Sequence, residues 1–196
     1  MSIHRVLVAN RGEIAVRIIR AAQALGIETV QAVSDADRDS MAAEMADQTV
    51  VLGPAPSRQS YLVPGLLVHA ARQTRCDGLH PGYGFLSERA ELASLCAEND
   101  VTFVGPAAET IEALGDKIRA RAIAESAGVA TVPGTPPMDD AAGAAKAAGM
   151  LGYPVLVKAS AGGGGRGMFV ARSAAELAAS FDKASTEALE AFGDGT

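Results

Sequence analysis

The segment Lys158-Ala-Ser-Ala-Gly-Gly-Gly-Gly-Arg-Gly-Met168 places four consecutive glycines between two apolar runs. Successive backbone N–H groups free of side chains can close on phosphate oxygens, as anion-binding nests do. The segment is not a GxxxxGK[ST] phosphate loop, because no GK[ST] is present and no helix opens directly after the glycines. It predicts a hairpin cover over a nucleotide. Lys158 ends the run Pro154-Val-Leu-Val-Lys158, where its ammonium could meet a phosphate as a point charge. The competing reading is a plain surface hairpin with a solvated lysine, since glycine runs also serve as linkers.

His80-Pro-Gly-Tyr-Gly-Phe-Leu-Ser-Glu88 is a turn-rich stretch that displays a His, a Tyr and a Glu. Gly82 and Gly84 permit backbone angles that other residues resist, and Ser87 is placed to cap a following helix. The alternative is a structural turn in which His80 bonds locally and Tyr83 packs. Asn10-Arg-Gly-Glu13 opens a helix whose first N–H groups could receive an anion, although it does not match GxGxxG. Glu13 in the first turn also simply favours the helix dipole. Lys117, in Leu114-Gly-Asp-Lys-Ile118, either faces a nucleotide cleft or is a solvated helix lysine.

These residues need elements to hold them. Residues 3–9 form a short apolar run, 13–25 repeat apolar residues at helical spacing, and Gly26 ends that helix as a left-handed cap before a strand over 28–33. The result is a β-α-β unit, hence a parallel sheet with a right-handed crossover. The alternation continues with a strand at 49–52, a helix over 63–75, a strand end at 78–80, a helix over 87–99 and a strand at 101–104. A doubly wound α/β domain follows, with ligands expected at the carboxyl ends of its strands, in the loops beginning at Asn10, His80 and Gly105. A helix is predicted through 107–126, and Val132-Pro-Gly-Thr-Pro-Pro137 punctuates the chain heavily enough to start a second domain near residue 131. That domain reads as an Ala-rich helix (139–151), the strand ending at Lys158, the glycine loop, a strand at 168–171 and a helix over 174–192. Two strands and two helices make a poor autonomous unit, so the domain is expected to be incomplete at Thr196.

Composition narrows the function classes. With 48% hydrophobic residues in 196, the chain can build a core, and 17 Lys+Arg against 23 Asp+Glu leave −6, no footprint for nucleic acid or an anionic membrane. No run approaches a membrane span, and the start lacks a signal pattern, so a cytoplasmic protein is expected. Cys76 and Cys96 do not form a CxxC pair and read as free, packed thiols.

Taken together, Ala9-Asn-Arg-Gly-Glu-Ile-Ala-Val-Arg-Ile-Ile-Arg20, the 80–88 stretch, Gly115-Asp-Lys117 and the 158–168 stretch closely resemble the biotin carboxylase family. That family includes the biotin carboxylase parts of acetyl-, propionyl- and other acyl-CoA carboxylases, pyruvate carboxylase and urea carboxylase. The resemblance implies a Rossmann-like pre-ATP-grasp domain over 1–115, a helical linker over 116–130 and an incomplete ATP-grasp lid (α+β) over 131–196. By matching motif positions it implies that Lys117 and Lys158 contact ATP, that Gly164 and Gly165 lie in the lid loop over the phosphates, and that Tyr83 and Glu88 line the biotin side. Arg20 falls where family members make a dimer contact. The implied reaction joins bicarbonate to the γ-phosphate of Mg-ATP, giving carboxyphosphate, whose CO2 is attacked by biotin N1. Metal ions and cationic side chains must then neutralise the transferring phosphoryl group.

Biotin on a carrier protein or domain, a carboxyltransferase and a second copy of the chain are the implied partners. The family's metal ligands and general base are expected outside this chain, which leaves it with no catalytic residue and no turnover of its own. Two other readings stand beside this one: an ATP-grasp ligase with a different acceptor, such as carbamoyl phosphate synthetase, and a non-catalytic nucleotide-binding or dimerisation module.

Overall fold

The computed structural model describes residues 2–138, 140–160, 167–193, 195 and 196; for Lys117, Ala191 and Phe192 it describes the backbone alone. The chain divides into two units, Met1–Gly115 and Asp116–Thr196.

In the first unit, β1 (Arg5–Val8), β2 (Glu28–Ser34), β3 (Gln48–Gly53), β4 (Gly78–His80) and β5 (Thr102–Phe103) form one parallel sheet in the order β3-β2-β1-β4-β5. The central strand is apolar throughout its buried part because both faces are covered. Leu7 joins Val30, Leu79, Leu67 and Leu92 under α3 (Pro64–Gln73) and α4 (Ala90–Glu98), while Val8 points the other way into Ala15, Ile18, Ile19 and Ala42. Those last residues come from α1 (Gly12–Ala24) and α2 (Met41–Met45). The apolar stripe of α1 (Ala15, Ile18, Ile19, Ala22) is therefore what the sheet selects from its helical spacing, and Gly26 at φ 71° turns the chain back toward β2.

Strand order decides where ligands can collect. The chain leaves β1 toward β2 and β3 on one side and reaches β4 and β5 on the other, so the order reverses between β1 and β4. A crevice opens at such a switch point, outside the carboxyl ends of the two strands. Asn10 and His80 stand at those ends.

Two predicted helices differ from the observed ones. The helix expected over 87–99 starts at Ala90, and Ser87 is not its cap. Gly84 and Phe85 both adopt positive φ, and the N–H groups of Ser87 and Arg89 bond back to Gly84 and Leu86, so the chain spends these residues in two successive turns. The continuous helix expected over 107–126 is two helices, α5 (Ala108–Gly115) and α6 (Lys117–Ser126). Asp116 separates them: its side chain accepts from the N–H groups of Ile118 and Arg119, each at 2.8 Å, and so caps α6 instead of continuing α5.

The second unit holds α6, α7 (Ala141–Leu151), the hairpin β6 (Val155–Lys158) and β7 (Met168–Ala171), and α8 (Ala174–Phe192). Asp140 caps α7, and Ser173 caps α8 while Glu176 reaches back to the Arg172 N–H, a reciprocal arrangement that satisfies two otherwise orphaned donors. The antiparallel register pairs Val155 with Ala171 and Lys158 with Met168. Period-two alternation sends Val155, Val157 and Ala171 into a small core with Ala148 and Leu177. Lys183 on α8 lays its ammonium 4.7 Å from the centre of the Phe169 ring on that same side.

Candidate functional site

Asn10 stands two residues past the end of β1 and is buried, so each of its polar groups requires a partner. Its Nδ2 donates to the carbonyl oxygens of Pro81 (2.7 Å) and Tyr83 (2.8 Å), its Oδ1 accepts from the Arg11 N–H at 2.8 Å, and its own carbonyl accepts from Gln31 Nε2 at 2.7 Å. The Asn10 side chain thus ties the chain just after β1 to the loop after β4, while its backbone carbonyl is held by Gln31 from within β2. Gly82 lies between the two carbonyls at φ 67°, and a Cβ there would stand 2.8 Å from Asn10 Nδ2. Only glycine lets the loop come this close.

His80 closes the loop from its other end. Its Nδ1 accepts from the Gly82 N–H at 3.0 Å, which requires a neutral ring with its proton on Nε2. Burial holds the His80 pKa below its ordinary value, in agreement with that role. Downstream, the Phe85 ring stacks on Tyr61 at 5.2 Å. Tyr61 accepts from the Ser34 N–H (2.9 Å) and donates to Asp37 (2.8 Å), and burial pushes its pKa up to about 12. Asp37 also accepts from Ser34 Oγ at 2.7 Å and pairs with Arg11 at 2.9 Å. The loop over 80–88 is in this way pinned at both ends, leaving Tyr83 (59% exposed) and Glu88 displayed to solvent.

The residue runs around 10 and 80, separated by 70 positions, are brought together. In the stretch Asn10-Arg-Gly-Glu13 the side chains of Asn10 and Arg11 bond to the 80–88 loop and to Asp37, the Arg11 N–H goes to Asn10 Oδ1, and Glu13 stands exposed in the first turn of α1. Sequence reading missed Gln31, Ser34, Asp37 and Tyr61. Only the polar residues in and after an otherwise apolar β2 signalled them, since a buried Gln or Asp requires partners.

In the second unit, Leu156, Val170, Met168 and Lys158 share the hairpin face that the helices leave bare; the first three are 56%, 51% and 41% exposed. Lys158 is exposed at the end of β6, where the glycine loop begins. Gly167 at φ 67° closes that loop, its carbonyl accepting from the Ala159 N–H at 3.0 Å, and a Cβ on it would meet Ala159 at 3.1 Å. Gly164 and Gly165 lie outside the described residues, as does the side chain of Lys117, whose backbone opens α6.

Cys76 and Cys96 are buried free thiols, and burial raises both pKa values, that of Cys96 to about 11. Neither has the exposed, low-pKa setting of a reactive thiol. Among the described residues no helix is long and apolar enough to cross a membrane, and no group of three or more His, Cys, Asp or Glu could hold a metal ion.

Comparison with known proteins places these features. Residues 2–111 match the model of the biotin carboxylase N-terminal domain, and residues 116–196 match that of the carbamoyl-phosphate synthase L chain ATP-binding domain. The chain is 48% identical over 193 residues to biotin carboxylase 1 of Bacillus subtilis, covering 98% of this chain and 43% of that protein. It is 46% identical over 192 residues to the propionyl-CoA carboxylase alpha chain of Ruegeria pomeroyi, covering 97% and 28%. Among solved structures, a Campylobacter jejuni biotin carboxylase in a β-γ-ATP complex superposes with a TM-score of 0.92 at 40% identity, over 100% of this chain and 44% of that one. The biotin carboxylase domain dimer of Hydrogenobacter thermophilus 2-oxoglutarate carboxylase, in complex with MgADP, ADP and bicarbonate, gives 0.90 at 43% identity, over 100% and 43%. The chain therefore spans under half the length of the proteins it resembles.

Proposed function

The chain belongs to the biotin carboxylase family, and from that premise we propose that it is the N-terminal part of an enzyme that uses ATP and bicarbonate to carboxylate biotin on a carrier protein. The observation that carries this reading is the direct bonding of Asn10 to the 80–88 loop. Both stretches carry the biotin carboxylase resemblance, and they are hydrogen-bonded to each other beside the switch point of a parallel sheet.

In this reading Tyr83 and Glu88 face biotin. Lys117 and Lys158 contact ATP, and Gly164 and Gly165 close over its phosphates. The bare hairpin face fits a nucleotide cover, because Leu156, Met168 and Val170 offer apolar contact to a base beside a cationic end at Lys158. Mg2+ would neutralise the phosphates when bound, and this reading puts its ligands outside this chain. Residues 1–115 act as the pre-ATP-grasp domain, 116–130 as a helical linker and 131–196 as part of the lid. The biotin carrier, a carboxyltransferase, a second copy of the chain and a cytoplasmic setting belong to the same proposal.

The test is transfer of labelled bicarbonate by the polypeptide as made in its own cell. ATP-dependent label on biotin is expected. Label on an amine would favour a different ATP-grasp ligase, a reading that draws on the match of residues 116–196 to the carbamoyl-phosphate synthase ATP-binding domain. Nucleotide binding with no transfer to any acceptor would favour a binding module.

A further inference from the structure

We propose that Asn10 is the positioning residue for Tyr83, setting the direction in which the tyrosine side chain leaves its loop toward the carboxyl acceptor. The acceptor side of this inference rests on the reading under Proposed function; the positioning itself rests on geometry.

Both amide hydrogens of Asn10 are used on the loop, one on each side of Gly82, and they bracket the peptide units that orient residues 82 and 83. The amide cannot turn over, because a flip would set Oδ1 against two carbonyl oxygens and remove the acceptor of the Arg11 N–H. Asn10 is itself held from behind by Gln31, whose Nε2 donates to the Asn10 carbonyl. Tyr83, by contrast, is 59% exposed, so packing does not fix its ring. What fixes its backbone is the Asn10 bond on one side and, two residues on, the stack of Phe85 on Tyr61. Asn10 is 4% exposed and its side-chain amide is used on protein groups, which makes it a positioning and not a catalytic residue.

Removing the amide leaves two carbonyls without donors and frees the Tyr83 peptide, an effect of roughly fivefold to a hundredfold on an interaction that depends on it. In the polypeptide as made in its cell, Asn10→Ala is expected to raise KM for free biotin about tenfold while KM for ATP moves less than about twofold. A merely structural role lowers the amount of active protein and moves neither KM. In a double-mutant cycle the Asn10 effect disappears in a Tyr83→Ala background; full additivity overturns the proposal.

Asn10→Asp, which keeps size and the Oδ1 acceptor but loses both donors, gives the same split and serves if the alanine variant does not fold. Should the parent protein leave biotin uncarboxylated, the functional reading falls, and 19F NMR of the 196-residue chain labelled with 3-fluorotyrosine decides the positioning. Its three tyrosines are resolved by substitution. The Tyr83 line is expected to shift or broaden in Asn10→Asp with the Tyr153 line unmoved; an unchanged Tyr83 line overturns the inference.

Discussion

The two units handle their chemistry-bearing residues in opposite ways. In Met1–Gly115 a sheet covered on both faces ends in a buried polar network (Asn10, Gln31, Ser34, Asp37, Tyr61) that fixes a loop before any ligand arrives. In Asp116–Thr196 a two-stranded hairpin is covered on one side only, and its other face carries exposed apolar residues beside Lys158. The first region has a preorganised site whose burial supports it. The second has an exposed apolar face with no such network behind it. Preorganisation requires many buried partners, and two strands cannot supply them.

The largest expected break in that contrast is in the sheet core. Leu79→Ala, at a side chain with no exposure on a strand beside β1, should cost about 2–5 kcal/mol by chemical denaturation, whereas Val157→Ala on the half-buried hairpin should cost about half of that or less. Equal costs would mean that the hairpin is as tightly built as the sheet. Next comes Tyr61→Phe, which leaves the Ser34 N–H and one contact to Asp37 unmet and should destabilise the first unit by about 1–3 kcal/mol. The corresponding loss of a hydroxyl at exposed Tyr83 should stay within about 0.5 kcal/mol.

A smaller effect is a pH dependence confined to the first unit. The folded-state pKa of His80 lies below its ordinary 6.5, so the unfolded chain binds the proton more readily. The His80 contribution is present above about pH 6.5 and is lost as pH falls from there through the folded-state value, where protonation would also break the Nδ1 bond to Gly82. Stability measured between pH 7 and pH 5 should therefore decline less steeply in His80→Gln than in the parent. The smallest stability effect is expected at Lys158→Met, within about 0.5 kcal/mol, because the ammonium is exposed. ATP affinity in the same variant should fall about tenfold by titration calorimetry, and an unchanged affinity would reduce Lys158 to an ordinary surface lysine.

Much of the first unit was legible in the residues. Helical spacing from Ile14 to Leu25, the stop at Gly26 and the apolar runs on either side prescribe a β-α-β unit, and the structure has one. The loops at Asn10 and His80 were legible as places to look, because strand ends collect ligands in doubly wound sheets. What was not legible is that these loops bond to each other, since nothing local in Ala9-Asn-Arg-Gly names a partner 70 positions away. Ser87 and the 107–126 helix went astray for a related reason. Helix-forming residues begin at Ser87 and run on past Gly115-Asp116, but turns after Gly84-Phe85 and an aspartate cap took the backbone N–H groups first.

Periodicity, glycine placement and four short motifs were enough, by themselves, to determine the parallel sheet, the hairpin with its glycine loop and the resemblance to biotin carboxylases, because each is a property of neighbouring residues. The tertiary structure alone decided that the Asn10 side chain clamps the 80–88 loop, that Asp37 and Tyr61 support the loop, and that Leu156, Lys158, Met168 and Val170 share an open face. Those facts depend on strand order and register, which bring distant residues within 3 Å of each other and which no local window of sequence contains.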